Sequence, residues 1–138
     1  MKEQPKIAVL GGGSWATAIV KMLSENLDNV GWYMRSVYVL EHIKINKHNP
    51  NYLSSAELHP AQLDLSNDIN KIVKEYDVLI FAIPSAFLTL ELEKLTENLA
   101  DKIIFSDREK IPIELDYDEL KLNIHRVMNI ESIFSCAE

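Results

Sequence analysis

Apolar positions along this chain fall into short solid runs, separated by stretches in which they recur every three or four residues. Solid runs occupy residues 6–10, 30–34, 77–83 and 102–105. Runs of this kind suit strands covered on both faces, as in a parallel sheet. The run at 77–83 is the clearest, and Pro84 stops it. Gly31 weakens the second run without excluding it. A further short strand is expected near Leu63. Between the runs, Trp15, Ile19, Met22 and Leu23 follow helical spacing to about Asn26, where Asp28 and Asn29 signal a turn. Ser36 is expected to cap a helix through Val39, Leu40, Ile43 and Ile45. Ser66 or Asn67 is expected to cap one carrying Ile69, Ile72 and Val73. Ser85 is expected to cap one whose core stripe is Leu88, Leu92, Leu95 and Leu99. Residues 47–53 read as loop, punctuated by Asn49, Pro50 and Asn51.

Strands alternating with helices imply right-handed crossovers. The expected fold is α/β: a doubly wound parallel sheet of about four strands in the order 3-2-1-4, helices on both faces. Beyond residue 105 the pattern changes. Residues 106–110 are charged, 111–115 suit a short extended piece, and 116–130 carry Leu120, Ile124 and Val127 at helical spacing. That stretch starts with Asp116, Asp118 and Glu119, and predicts a C-terminal helical tail with favourable charge at its N-terminus.

Size and composition narrow the picture only modestly. The 138 residues suit one domain, and 47% hydrophobic with 25% charged residues is ordinary for a soluble globular chain. A net charge of −7 argues against a generic nucleic-acid surface. It leaves room for an anionic ligand, because backbone amides and one or two local cations bind phosphate inside acidic proteins. Cys136 is the single cysteine, which rules out an intrachain disulfide. No apolar run approaches the ~18 residues of a membrane span. The start of the chain does not read as a signal peptide, so a cytoplasmic protein is expected.

The candidate chemistry lies where the first strand ends. Three of the four glycines are Gly11, Gly12 and Gly13. Gly11, Gly13 and Ala16 match the dinucleotide-binding pattern G-x-G-x-x-G/A between a strand and a helix. Gly11 allows the tight turn, Gly13 lets the backbone approach a pyrophosphate, and Ala16 lets the helix pack closely on the strand. Free N–H groups at the helix N-terminus then face the phosphates. Ser14 either donates to a phosphate or simply begins the helix. Trp15 reads equally as a wall of the site and as core. An NAD-selective site places Asp or Glu about 20 residues past the glycines. Here that neighbourhood is Tyr33, Met34, Arg35 and Ser36, without an acid. Arg35 suits a ribose 2′-phosphate or adenine, which favours NADP over NAD. The turn at Pro84 and Ser85 ends a strand on the same sheet edge. His42, His48, His59 and His125 lack metal-ligand spacing and read as surface or loop. A calcium loop at residue 116 fails, since Lys121 and Val127 stand where Gly and Glu are needed.

The segment Gly11 to Ala18 resembles the opening of the bacterial NAD(P)-dependent glycerol-3-phosphate dehydrogenases. So does the loop His48, Asn49, Pro50, Asn51, Tyr52, Leu53, although Ser54 stands where that family has proline. So does the strand end Phe81, Ala82, Ile83, Pro84, Ser85. The resemblance spans about residues 5–106. It implies an N-terminal Rossmann domain and a reaction that reduces dihydroxyacetone phosphate to sn-glycerol 3-phosphate for phospholipid synthesis. By the same resemblance Ser14 and Trp15 contact the cofactor at the turn and Arg35 at the end of the second strand. Tyr52 lies near the cofactor, and Pro84 and Ser85 line the nicotinamide side. The family's helical substrate domain is not matched. Its Lys-Gly motif has only Lys110 nearby, with no glycine following. The chain is therefore read as an NAD(P)-binding domain over 1–106 and a divergent tail over 107–138, without catalytic residues that can be named. A non-catalytic nucleotide-binding or interaction module, or a truncated remnant, are the alternatives.

Overall fold

The computed structural model describes residues 5–106 and 127–128. Among the described residues six parallel strands form one sheet: β1 (Ile7–Leu10), β2 (Val30–Tyr33), β3 (Leu63–Ser66), β4 (Val78–Phe81), β5 (Ile103–Ser106) and β6 (Val127–Met128). Their order is β3-β2-β1-β4-β5-β6. The reversal beside β1 is as expected, and the strand near Leu63 is present as β3. The total exceeds the expected four, because β3, as long as β1, alternates Leu63, Asp64, Leu65 and Ser66 and makes no solid apolar run, and β6 has only two residues. The helices are α1 (Ser14–Ser24), α2 (Val37–Asn46), α3 (Ile69–Glu75) and α4 (Ser85–Glu93). Val127 and Met128, expected in a helix, pair as strand against Ile104 and Phe105. The rest of that tail lies outside the described residues, as do Lys110, the piece at 111–115, His125 and Cys136.

Side chains alternate across the strands, so each strand feeds two cores. Ala8, Leu10, Tyr33, Leu79 and Phe81 pack under α3 and α4, with Ile69, Ile72, Val73, Leu88 and Leu92. Val9, Trp32 and Ile80 pack under α1 and α2, with Ala16, Ile19, Val20, Leu40 and Ile43. Within α1 the core face is Ala16, Ile19 and Val20, while Trp15 and Met22 turn outward. Ile45 likewise lies outside, at 75% exposed.

Local chemistry sets the helix ends. Ser36 caps α2 as expected, accepting from the Val39 N–H at 3.3 Å. Asp68, not Ser66 or Asn67, caps α3 and accepts from Asn70 and Lys71. Pro84 takes the N-cap position of α4 expected for Ser85, its carbonyl accepting from Phe87 and Leu88. That helix stops well before Leu99 because Asn70 intervenes. The Asn70 carboxamide donates to the Lys94 carbonyl at 3.0 Å and accepts from Thr96 and Glu97 N–H groups. Leu95 and Leu99 then reach the core from the following loop.

Gly31 serves packing. A Cβ there would meet the Tyr76 ring at 2.6 Å and the Ala8 methyl at 2.9 Å. Tyr76 is buried, donates to Asp64 at 3.0 Å and accepts from Asn29 at 2.9 Å. Burial, and after it the Asp64 carboxylate, push the phenol up to about 12, against the donated bond from Asn29. A folded-state pKa above the unfolded value of roughly 10 means full stability below pH ~10 and loss as pH rises toward ~12. Urea melts between those limits should show Tyr76 contributing on the order of 2 kcal/mol of this loss. Tyr76→Phe should flatten the slope, and an unchanged slope would refute the assignment.

Candidate functional site

A cleft of about 300 Å³ opens at the carboxyl ends of β1, β2 and β4. That edge, where strand order reverses, is where doubly wound sheets place ligands. Gly11, Gly12 and Gly13 form one wall; Tyr33, Met34, Arg35, Ser36 and Val39 follow β2. Ile83, Pro84, Phe87 and Glu91 come from β4 and α4, and Asn51 and Tyr52 from the loop after α2.

The glycine turn is fixed by its neighbours. Gly11 has φ +131°, and a Cβ there would meet the Ala82 carbonyl carbon at 2.8 Å. This is a backbone conformation that only glycine adopts freely. At Gly13 an added Cβ meets nothing within 4 Å. The three glycine carbonyls are each tied back by a side chain. The buried Trp32 indole donates to Gly11 O at 2.6 Å, Asn49 Nδ2 to Gly12 O at 3.3 Å, and Thr17 Oγ1 to Gly13 O at 2.7 Å. The Gly11 N–H is used by Tyr33 O at 2.9 Å. Among the described residues, the N–H groups of Gly12, Gly13 and Ser14 have no protein acceptor. With carbonyls turned away and amides open at the positive end of α1, the turn presents donors to an anion.

Asn49 links this turn to the Tyr52 loop. It is fully buried. Its Nδ2 donates also to Thr17 Oγ1 at 3.0 Å, and its Oδ1 accepts from the N–H groups of Asn51 at 2.9 Å and Tyr52 at 3.3 Å. One side chain therefore holds both the glycine turn and the loop that brings Tyr52 into the cleft lining.

At the far side, the Arg35 guanidinium lies 5.0 Å from the Phe87 ring centre. The Tyr33 hydroxyl donates to Glu91 Oε2. Burial, then the bond to Glu91 and its charge, hold the Tyr33 phenol well above its ordinary range, with Arg35 pulling the other way.

Of the residues expected at a site, Gly11, Gly13, Arg35, Tyr52 and Pro84 line this cleft. Ser14 and Trp15 are exposed in the first turn of α1, beside the cleft rather than in its lining; at 47% exposed Trp15 is not core. Ala16 is fully buried on the sheet-facing side of α1, in the core with Val9, Ile19 and Val20. Ser85 begins α4. Sequence reasoning missed Asn49, Phe87, Glu91 and Trp32. Among the described residues no three His, Cys, Asp or Glu side chains form a metal site, and no helix is long and apolar enough to cross a membrane.

Strand order, the glycine turn and its open amides together define a Rossmann-type nucleotide-binding domain. Comparison with known proteins narrows the class: the model of the NAD-dependent glycerol-3-phosphate dehydrogenase N-terminus matches residues 6–110. The chain belongs to that family. It is 38% identical over 106 residues to the NAD(P)+ glycerol-3-phosphate dehydrogenase of Pseudomonas fluorescens strain SBW25, covering 77% of this chain and 31% of that protein. The enzyme of Pseudomonas aeruginosa strain PAO1 is 37% identical with the same coverage. The solved glycerol-3-phosphate dehydrogenase of Plasmodium falciparum superposes with a TM-score of 0.64 at 26% identity, over 74% of this chain and 31% of that one. The Saccharomyces cerevisiae structure gives a TM-score of 0.64 at 24% identity, over 76% and 33%, a likeness of fold. The chain thus spans 31% of the length of the curated relatives just named.

Proposed function

We propose that this chain binds a nicotinamide adenine dinucleotide across the cleft, its pyrophosphate on the amides of Gly12, Gly13 and Ser14. The observation that carries this is the turn itself: three glycine carbonyls tied back and the amides beside them left open. On this reading Gly11 shapes the turn, Gly13 gives the phosphates room, and Ser14 and Trp15 flank them. Ala16 keeps α1 close to the sheet. Arg35 meets the adenosine end, Tyr52 covers the cleft, and Pro84 and Ser85 border the nicotinamide. The bound dinucleotide would supply hydride chemistry between dihydroxyacetone phosphate and sn-glycerol 3-phosphate, a cytoplasmic step toward phospholipids. This chain's share is orientation of the cofactor. Without named groups to polarise the ketone and deliver a proton, binding with little turnover is expected.

A titration tests this. NADPH fluorescence is followed as the chain is added, then dihydroxyacetone phosphate is supplied and the near-ultraviolet absorbance of the reduced nicotinamide is watched. Binding without oxidation supports a nucleotide-binding module, oxidation supports an enzyme, and no binding refutes the proposal.

Arg35 supports NADPH as the better ligand. It is exposed just past the end of β2, and residues 33–36 of that strand end include no acid to meet a ribose 2′-hydroxyl. A guanidinium–phosphate pair is worth roughly 1.5–3 kcal/mol, so NADPH should bind about tenfold tighter than NADH. Arg35→Ala should erase that difference, weakening NADPH about tenfold more than it weakens NADH. A tenfold preference for NADH in the unaltered chain would sink the assignment.

A further inference from the structure

Glu91 is 4% exposed, yet it lines the cleft and has no part in holding phosphate. It lies on α4, one turn beyond Phe87 and between Leu88 and Leu92, both buried. A leucine at this point would extend the apolar stripe. A buried carboxylate is costly unless it is hydrogen-bonded. Two groups hold this one: the Tyr33 hydroxyl donates to Oε2, and Lys94 Nζ stands 3.0 Å from Oε1. A carboxylate offers about four acceptor directions, so capacity remains for another donor. The same two partners stop the group from turning away.

The dinucleotide reading proposed above, on which this inference rests, fixes what arrives there. With the pyrophosphate on α1, the adenosine ribose meets the end of β2. The base then extends to the wall made by Arg35, Phe87 and Glu91. The stacked guanidinium and phenyl ring offer a flat support, but stacking alone is indifferent to the identity of a base. An edge contact is needed to tell one purine from another. We propose that Glu91 is a specificity-determining residue that accepts a hydrogen bond from the exocyclic 6-amino group of adenine. A 6-oxo purine would turn a carbonyl oxygen toward a carboxylate that Tyr33 and Lys94 keep in place, setting lone pair against lone pair.

The test uses the full chain and two ligands, NADH and reduced nicotinamide hypoxanthine dinucleotide, followed by nicotinamide fluorescence. A charge-assisted hydrogen bond predicts that the adenine form binds about tenfold tighter or more. Glu91→Gln keeps the size and the acceptor for Tyr33, and its amide can donate to a 6-oxo group. It should bring the two ligands within about threefold, a gap of about 0.7 kcal/mol. Equal binding of both ligands by the unaltered chain overturns the role of Glu91 and leaves dinucleotide binding intact. So does a folded Glu91→Gln chain, checked by thermal melt, that still discriminates. If Glu91→Gln does not fold, the unaltered chain's own discrimination decides. Binding of neither ligand overturns the dinucleotide reading, and this inference with it.

Discussion

Gly11→Ala is expected to unfold this domain at markedly lower temperature, whereas Gly13→Ala should leave its melting point almost unchanged. At Gly11 two costs combine. The backbone sits at φ +131°, and a methyl group would run into the Ala82 carbonyl at the end of β4. Strain of about 1–3 kcal/mol and overpacking of about 1–3 kcal/mol give a loss of about 2–6 kcal/mol. For a domain of this size that is a fall in Tm of roughly 8–36 °C. The backbone cannot escape by shifting outward, because Gly11 N–H is bonded to Tyr33 O and Gly11 O to the Trp32 indole. At Gly13 the backbone is extended, φ −85° and ψ −168°, and the new methyl meets nothing. That methyl would instead fill the space that the proposed pyrophosphate needs. Loss of one or two charge-assisted bonds predicts NADPH binding about 10–100-fold weaker in Gly13→Ala. Far-UV thermal melts and fluorescence titrations of the two variants separate the roles. A Gly13→Ala chain that binds NADPH normally would refute the phosphate cradle, and an undisturbed Gly11→Ala melt would refute the reading of the turn.

This contrast shows what was legible in the sequence and what was not. The spacing of Gly11, Gly13 and Ala16 between a solid apolar run and a helical one is local, and it located the turn correctly. The apolar runs likewise located β1, β2, β4 and β5 within a residue or two. What spacing cannot show is which distant side chain a backbone group meets. The cap of α3 at Asp68 and the early end of α4 depend on such contacts: Asn70 reaches across 24 residues to take the Lys94 carbonyl. β6 was not legible, since two residues carry no period and pair only because β5 offers a free edge. In the site, Arg35 stood out by charge where an acid was expected. Glu91 could have been noticed as a charge on the stripe of Leu88 and Leu92, a position that costs stability unless partners are waiting. Trp15 stays open between core and site wall in the sequence because its spacing fits Ile19, whereas the core face of α1 is set by Ala16 and Val20 and Trp15 turns outward. Asn49 left one usable trace, the Asn49, Pro50, Asn51 sequence of an Asx turn. Its second role, toward the glycines, depends on tertiary structure.

Asn49 is the position where loss of one side chain should disturb both walls of the cleft. Its amide nitrogen serves Gly12 O and Thr17 Oγ1, and its oxygen serves the backbone of Asn51 and Tyr52. Thr17 passes the chain on to Gly13 O, so the bonds polarise one another. Asn49→Ala leaves buried partners unsatisfied at about 1–3 kcal/mol each, partly relieved because Asn51 and Tyr52 reach solvent. A loss of about 2–4 kcal/mol, or roughly 8–24 °C in Tm, is expected. NADPH affinity should fall with it, since the Gly12 carbonyl is then free to rotate toward the phosphates and the Tyr52 loop loses its anchor. Asn49→Asp distinguishes this network from simple space filling. An aspartate keeps the acceptor half and loses the donor half, setting a carboxylate against Gly12 O and Thr17 Oγ1 in a fully buried site. Both effects disfavour the charged form and raise its folded-state pKa above the unfolded value of about 3.9. Stability should therefore be greatest below pH ~4, where the carboxyl can donate one bond, and should fall as pH rises through the folded-state value. Denaturant melts of Asn49→Asp against the unaltered chain, with their difference plotted from acid to neutral pH, show whether this slope exists. A difference that stays flat would mean that Asn49 merely fills space between the loop and the glycine turn.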